Sequence, residues 1–180
     1  MIKFFFIFVV IRKNKTMKKT MQLVLLLALF AVLNTSSLKS QDLVAYNNEV
    51  LYHYTLLDNQ IAKFEGTIWD KDATVANLKK EYKMAKNIYK YNGPALKAIK
   101  QSSKDKYFLP TVIQFYEVVN GTLENEFKQI MDMYSKEWED SFGTKISELD
   151  QKAVNKIVEA EQKVIDNQKK FADENDLNLN

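Results

Sequence analysis

The chain has 180 residues, with 26 Lys+Arg against 23 Asp+Glu, one histidine and no cysteine. Without cysteine there are no disulfides, no thiol catalysis, no covalent haem attachment and no lipoprotein anchor at a signal cut, so a core alone must hold the fold. The nominal charge of +3 also misleads, because Lys3, Arg12, Lys13, Lys15, Lys18, Lys19 and Lys39 precede every acid, and from Gln41 onward 19 lysines face 23 acids, a net −4. An overall basic balance suited to nucleic acid is thereby removed.

The first element in chain order is a leader. Met17-Lys18-Lys19-Thr20 supplies a basic start, residues 21–33 an uncharged and mostly aliphatic run, and residues 34–40 a polar stretch rich in small side chains. This order is that of a secretory signal peptide. Thirteen uncharged residues fall short of the about 20 that a membrane-spanning helix takes, which makes an uncleaved anchor the weaker reading. The expected cut follows Ser40, with Ser37 as the alternative. Residues 1–16 hold a second apolar run broken by Lys3. Since a complete signal peptide starts afresh at Met17, they read as an early start codon or a leader extension. The organisation expected is therefore 1–16 outside the product, 17–40 signal peptide, and 41–180 one domain, periplasmic, secreted or at the cell surface, with no stable membrane span after cleavage.

Beyond the leader, apolar residues recur at three- and four-residue steps, the pattern of amphipathic helices. A first stripe runs Val50, Tyr54, Leu57, Ile61, Phe64, Ile68. A second runs Val75, Leu78, Tyr82, Ala85, Tyr89, Asn92, Leu96, Ile99, a heptad seam with one polar member. The third uses Phe108, Val112, Phe115, Val119, Leu123, Phe127, Ile130, Tyr134 and Trp138, and the fourth Leu149, Ala153, Ile157, Ala160, Val164 and Phe171. No segment alternates with period two, so no sheet is expected. Asp72 is the expected cap of the second helix, Gly143 suits the end of the third, and Ser147 with Asp150 resembles a capping pair for the fourth. Pro110 requires the third helix to begin close to it. Asn92-Gly93-Pro94 interrupts the second helix while the heptad phase carries through, which predicts a kink rather than a break. Short connectors then give an all-α, up-down-up-down antiparallel four-helix bundle, with a kinked three-helix array as the alternative.

Charge is segregated along this chain. Residues 79–106 hold nine lysines against Glu81 and Asp105, and residues 117–150 nine acids against three lysines. Lys79, Lys83, Lys86, Lys90, Lys97 and Lys100 line one flank of the second seam, where their stems can cover it while the ammonium groups stay wet. Such a stripe either pairs the helix with an acidic neighbour or contacts an anionic envelope polymer. The kink can open a pocket between helices, for which Tyr89, Asn92, Phe115 and Val119 are the candidate lining.

Chemistry-bearing motifs are few. His53 lies four residues after Glu49, on one helical face, but a single histidine cannot build the paired Glu-x-x-His motifs of di-iron bundles or a zinc site without further ligands. The same count leaves no Ser-His-Asp triad. The abundant tyrosine and phenylalanine fall on or beside the seams, and Met131 and Met133 suit gap-filling. No catalytic residue, metal or cofactor is assigned.

Three short stretches carry a resemblance: Ala45-Tyr46-Asn47-Asn48 at the opening, Phe115-Tyr116 with Glu124-Asn125-Glu126-Phe127 in the third helix, and Phe171-Ala172 through Asn175 to Leu177 at the close. Together they resemble a family of helical surface and secreted proteins from Bacteroidetes and spirochaetes. The resemblance implies a helical fold and an address outside the cytoplasm, and no activity. Many such proteins carry a lipoprotein cysteine that this chain lacks. Two function classes follow from the residues: a non-enzymatic module that contacts an envelope protein or polymer, and a carrier of a small apolar or lipid ligand held near the kink. A hydrolase or metal enzyme needs chemistry the sequence does not offer.

Overall fold

A computed structural model describes residues 38–136 and 141–177 of the chain. Residues 1–16, residues 17–37 of the expected signal peptide and Trp138 of the third stripe lie outside them. Among the described residues every regular element is helical: α1 Leu38–Ile68, α2 Val75–Ala98, α3 Phe108–Glu124, α4 Glu126–Tyr134 and α5 Phe142–Glu174. The expected cut after Ser40 falls in the first turn of α1.

The seams become the core. Val50, Tyr54, Leu57, Ile61, Phe64 and Ile68 of α1 are all buried, as are Leu78, Ala85 and Leu96 of α2. From α3 and α4 come Phe108, Val112, Phe115, Val119, Leu123, Phe127 and Ile130, and from α5 Ala153, Ile157, Ala160, Val164 and Phe171. α1 packs on α2, α2 on α3, and both α3 and α4 on α5, while α1 also touches α3. That closes the helices into an all-α bundle. α3 lies deepest, burying nine of its seventeen residues, consistent with its apolar composition. Edge-on aromatic contacts tie the core together, among them Tyr54 with Phe115 (ring centroids 4.9 Å apart) and Phe64 with Phe127 (5.1 Å), geometries that aromatic quadrupoles favour.

Side-chain bonds show which ends meet. Gln60, late in α1, donates to Glu81 Oε2, early in α2, at 2.9 Å. Tyr82, early in α2, donates to the Leu123 carbonyl late in α3 at 2.7 Å. Trp69, just past α1, donates through its indole to Asp150 Oδ2, early in α5, at 3.0 Å. At the other end, Gln168 of α5 donates to Asn47 of α1 at 3.3 Å.

Several boundaries depart from expectation, each for a local reason. Asp72 is not the cap of α2. Its own backbone N–H bonds to Asp70 Oδ1 in a turn, and Thr74 caps the helix by accepting from Asn77 N–H at 3.2 Å. Ser147 and Asp150 do not start the last helix, because α5 begins earlier, at Phe142, and Asp150 is buried inside it. Gly143 accordingly sits in the first turn of α5 rather than at the end of the third helix. The third stripe is not one helix either: it is divided at Asn125 between α3 and α4. There the Gly121 carbonyl accepts both the backbone N–H of Asn125 at 3.1 Å and its Nδ2 at 2.6 Å, and the Tyr82 hydroxyl donates to the Leu123 carbonyl, so these acceptors at the break are satisfied. Pro110 occupies the first turn of α3, as proline tolerates. α2 continues through Pro94 as one helix.

The C-terminal end of α5 is closed by a Schellman-type turn. Leu177 N–H bonds to the Ala172 carbonyl at 2.9 Å, and Asp176 occupies the left-handed position at φ 53°. Leu177 is buried beside it, the apolar contact that accompanies this motif.

Candidate functional site

Three regions hold side chains able to do more than pack: the lysine flank of α2, the level of the bundle around Gly93, and the groove between α3 and α5.

On α2 the lysines divide into two groups. Lys86 pairs with Glu124 at 2.8 Å and Lys97 with Glu117 at 2.7 Å, both acids on α3. Lys97 holds Glu117 below the usual carboxylate range, against a smaller opposing effect of burial, and Tyr89 adds a donated bond at 3.0 Å. These two lysines thus serve helix pairing. Lys79, Lys83, Lys90 and Lys100 have no ion pair to an acid among the described residues and are exposed. Lys90 instead lies over the ring of Tyr91, 5.4 Å from its centroid.

Around Gly93 the helices approach closely. A Cβ added there would lie 3.8 Å from Tyr116 Cδ1, and the Tyr116 hydroxyl donates to the His53 carbonyl at 2.7 Å. The residues predicted to line a pocket here divide between interior and edge. Phe115 and Val119 are fully buried, while Tyr89 and Asn92 are half-buried, with Tyr89 6.3 Å from the Tyr116 ring. His53 is buried, and its Nδ1 has no hydrogen-bond partner among the described residues. Burial lowers its pKa, with Glu49 opposing.

The third region was not foreseen from the sequence. A groove of about 290 Å³ runs between α3 and α5 beside the Asn125 break. Phe115, Val118 and Ala160 form its apolar lining, and Gln114, Lys156, Glu159 and Lys163 contribute polar groups. Just beyond it, Glu126 is 2% exposed, and Oε1 alone takes both Lys152 at 3.0 Å and Lys156 at 2.8 Å. Burial works to raise the Glu126 pKa, but the two ammonium groups outweigh it, so the carboxyl sits below its ordinary value. Its Oε2 has no hydrogen-bond partner among the described residues. Lys163 is paired with Glu159 at 2.8 Å, so the groove's cations are compensated locally.

The remaining buried acids are likewise engaged in structure. Glu81 accepts from Gln60 and pairs with Lys63 at 3.2 Å, which hold its carboxyl below the usual range. Asp105 takes the backbone N–H groups of Tyr107, Phe108 and Leu109 at 2.7–2.9 Å. One signal in the sequence pointed to such acids. Glu81 follows Leu78 and precedes Ala85 on the apolar face, and Asp150 stands likewise between Ile146 and Ala153. Polar groups at such positions must find partners inside. No three His, Cys, Asp or Glu residues among the described residues are grouped to hold a metal ion, and no described helix is long and apolar enough to cross a membrane. No family model, curated protein or solved structure matches the chain.

Proposed function

We propose that the protein is an exported, non-enzymatic helical module that works by surface contact, outside the cytoplasm and without a lipid anchor. The observation that carries this reading is how the buried carboxylates are spent: Glu81, Asp105 and Glu126 each bind side chains or backbone N–H groups that join helices. Acids arranged for proton transfer need open access to a reacting group, and none of these has it. The solvent face of α2, by contrast, retains cations that no acid among the described residues neutralises.

The chain order that fits this module is up-down-up-down, with α3 and α4 acting as one interrupted rod and α2 kinked at Asn92-Gly93-Pro94. The crosswise meeting of ends supports it: Gln60 with Glu81, and Tyr82 with Leu123. Pro94 inside α2 supports the kink, since proline removes one backbone bond and crowds the preceding turn. Export rests on the leader at residues 17–40.

The groove beside Asn125 favours a second reading, a carrier of a small ligand, because Phe115, Val118 and Ala160 offer an apolar surface between α3 and α5. Native mass spectrometry of protein purified from its own host separates the two. A bare chain beginning at Gln41 or Leu38 is the expected result. A stoichiometric co-purifying small molecule would replace the contact module by the carrier, and a mass that retains residues 17–40 would remove the export step.

A further inference from the structure

We propose that the solvent face of α2, with Tyr52 of α1 at its edge, binds a linear polyanionic glycan. This rests on the contact-module reading and names the partner class for it.

Three features of that face point the same way. The first is a row of cations. At about 100° per residue, Lys79, Lys83, Lys90 and Lys97 fall within a sector roughly 40° wide, and Lys79 and Lys90 are about 16 Å apart along the axis. A row one helix wide matches a chain-like ligand better than a broad surface. Glu117 and Glu124 of α3 border it and neutralise Lys97 and Lys86, which leaves Lys79, Lys83 and Lys90 for an external anion.

The second is the choice of cation. Arg12 is the only arginine in the chain, so every cation on this face is lysine. Arginine supplies the bidentate fork suited to phosphate, whereas lysine acts as a mobile point charge. Point charges suit acidic groups spaced along a flexible polymer.

The third is the placement of bare aromatic rings. Tyr91 is 67% exposed and Tyr52 62%, more than any other large apolar side chain described. They belong to one level of the bundle. Tyr52 packs on His53 at 5.4 Å, Tyr116 donates to the His53 carbonyl, and Tyr116 lies against Tyr89, two residues before Tyr91. A tyrosine ring offers an apolar plate with a polar tip, which suits the C–H face of a sugar with hydroxyls at its rim. An anionic membrane is the poorer match, because insertion needs bulky aliphatic or Trp side chains along the face. Here the large exposed apolar residues on α2 besides Tyr91 are Val75 and Met84.

The test uses protein purified from its own host, titrated by isothermal calorimetry with polygalacturonate, with a single-stranded DNA oligonucleotide, and with phosphatidylglycerol vesicles. Polygalacturonate is expected to bind most tightly, more weakly as salt rises. Replacing Lys79, Lys83 and Lys90 together by Gln should weaken it at least tenfold, while Lys86→Gln with Lys97→Gln should change it less than threefold. Tyr52→Ala with Tyr91→Ala should lose several-fold at every salt concentration. All these side chains are exposed except Lys86, which is half-buried, and an unchanged melting curve for each variant certifies the fold. No binding to polygalacturonate, or equal binding by the triple variant, overturns the inference. Tighter binding of DNA or vesicles through the same lysines overturns the glycan while leaving the contact module standing. A small molecule that co-purifies with the bundle core would instead overturn the module itself.

Discussion

The hydroxyl of Tyr46 donates to Asp105 Oδ2 at 2.5 Å, joining residues 59 positions apart. The same carboxylate accepts the N–H groups of Tyr107, Phe108 and Leu109, so one buried acid both caps α3 and fastens the start of α1 to it. Burial, then the adjacent carboxylate, pushes the Tyr46 pKa far up, and the phenol stays a donor at any ordinary pH.

Removing either partner should therefore destabilise strongly. A hydrogen bond to a buried charge contributes about 1.5–3 kcal/mol, the loss expected for Tyr46→Phe. Asp105→Ala should cost more, since three backbone donors lose their acceptor and a cap alone contributes about 0.5–2 kcal/mol. Urea unfolding followed by circular dichroism gives both numbers. A Tyr46→Phe variant within about 0.5 kcal/mol of the parent would show that the bond adds nothing net.

Glu126 carries the second prediction, about acid. Its pKa is lowered in the folded chain, so its contribution is present above the unfolded value near 4.5 and is lost as pH falls through the lower folded value. Lys152→Met with Lys156→Met reverses the sign. The carboxyl would then be buried without a cation, its pKa would rise above the unfolded value, and stability should increase on acidification toward that value. At neutral pH the double variant should lose about 3 kcal/mol or more, as expected for stranding a buried charge. Glu126→Gln should cost less, because the Lys152 and Lys156 side chains are 63% and 46% exposed and regain water. Melting temperatures across pH 3 to 8 check the ordering and the change of slope.

Much of this architecture is legible in the residue pattern, and the exceptions share a cause. The seams of α1, α3 and α5 became core because a three- and four-residue apolar period permits little else. α2 followed its heptad less deeply, with Tyr82 and Ile99 half-buried and Val75 exposed. The division at Asn125 was invisible because Leu123, Phe127 and Ile130 keep phase across it, and the stabilising hydroxyl comes from Tyr82, 41 residues away. Thr74 rather than Asp72 is the cap because α2 starts at Val75 and the Thr74 hydroxyl accepts the Asn77 N–H, while Asp72 lies in the preceding turn. The lysine stripe was legible as a stripe. Its division into paired and unpaired members was not, since that depends on where Glu117 and Glu124 stand on α3.

His53 provides the third prediction. Burial lowers its pKa below 6.5, so the unfolded chain takes up a proton first as pH falls. Stability should drop between pH 6.5 and the lower folded value and then level off for this group. His53→Phe should abolish that part of the pH dependence. As the only histidine, it gives a single set of ring resonances, and a midpoint at or above 6.5 by NMR would contradict the burial that lowers it.

Glycine and left-handed backbone occur at different places in this chain, and exchanging them makes the last prediction. No described glycine has positive φ. Gly93 lies inside α2, and an added Cβ would meet Tyr116 at 3.8 Å, ordinary contact distance. Helix interiors favour alanine over glycine by about 0.5–1 kcal/mol, so Gly93→Ala should stabilise by that order. The reverse holds at Asp176, whose φ of 53° closes the Schellman turn in a conformation that costs a residue with a side chain roughly 1 kcal/mol. Asp176→Gly should recover much of that cost, less the entropy glycine adds to the unfolded chain. The two sites lie in different elements and share no partner, so their effects should add in the double variant to within about 0.5 kcal/mol. Destabilisation by Gly93→Ala would mean that a methyl group does not fit against Tyr116 at Asn92-Gly93-Pro94, and would favour the proposed kink there over a straight α2.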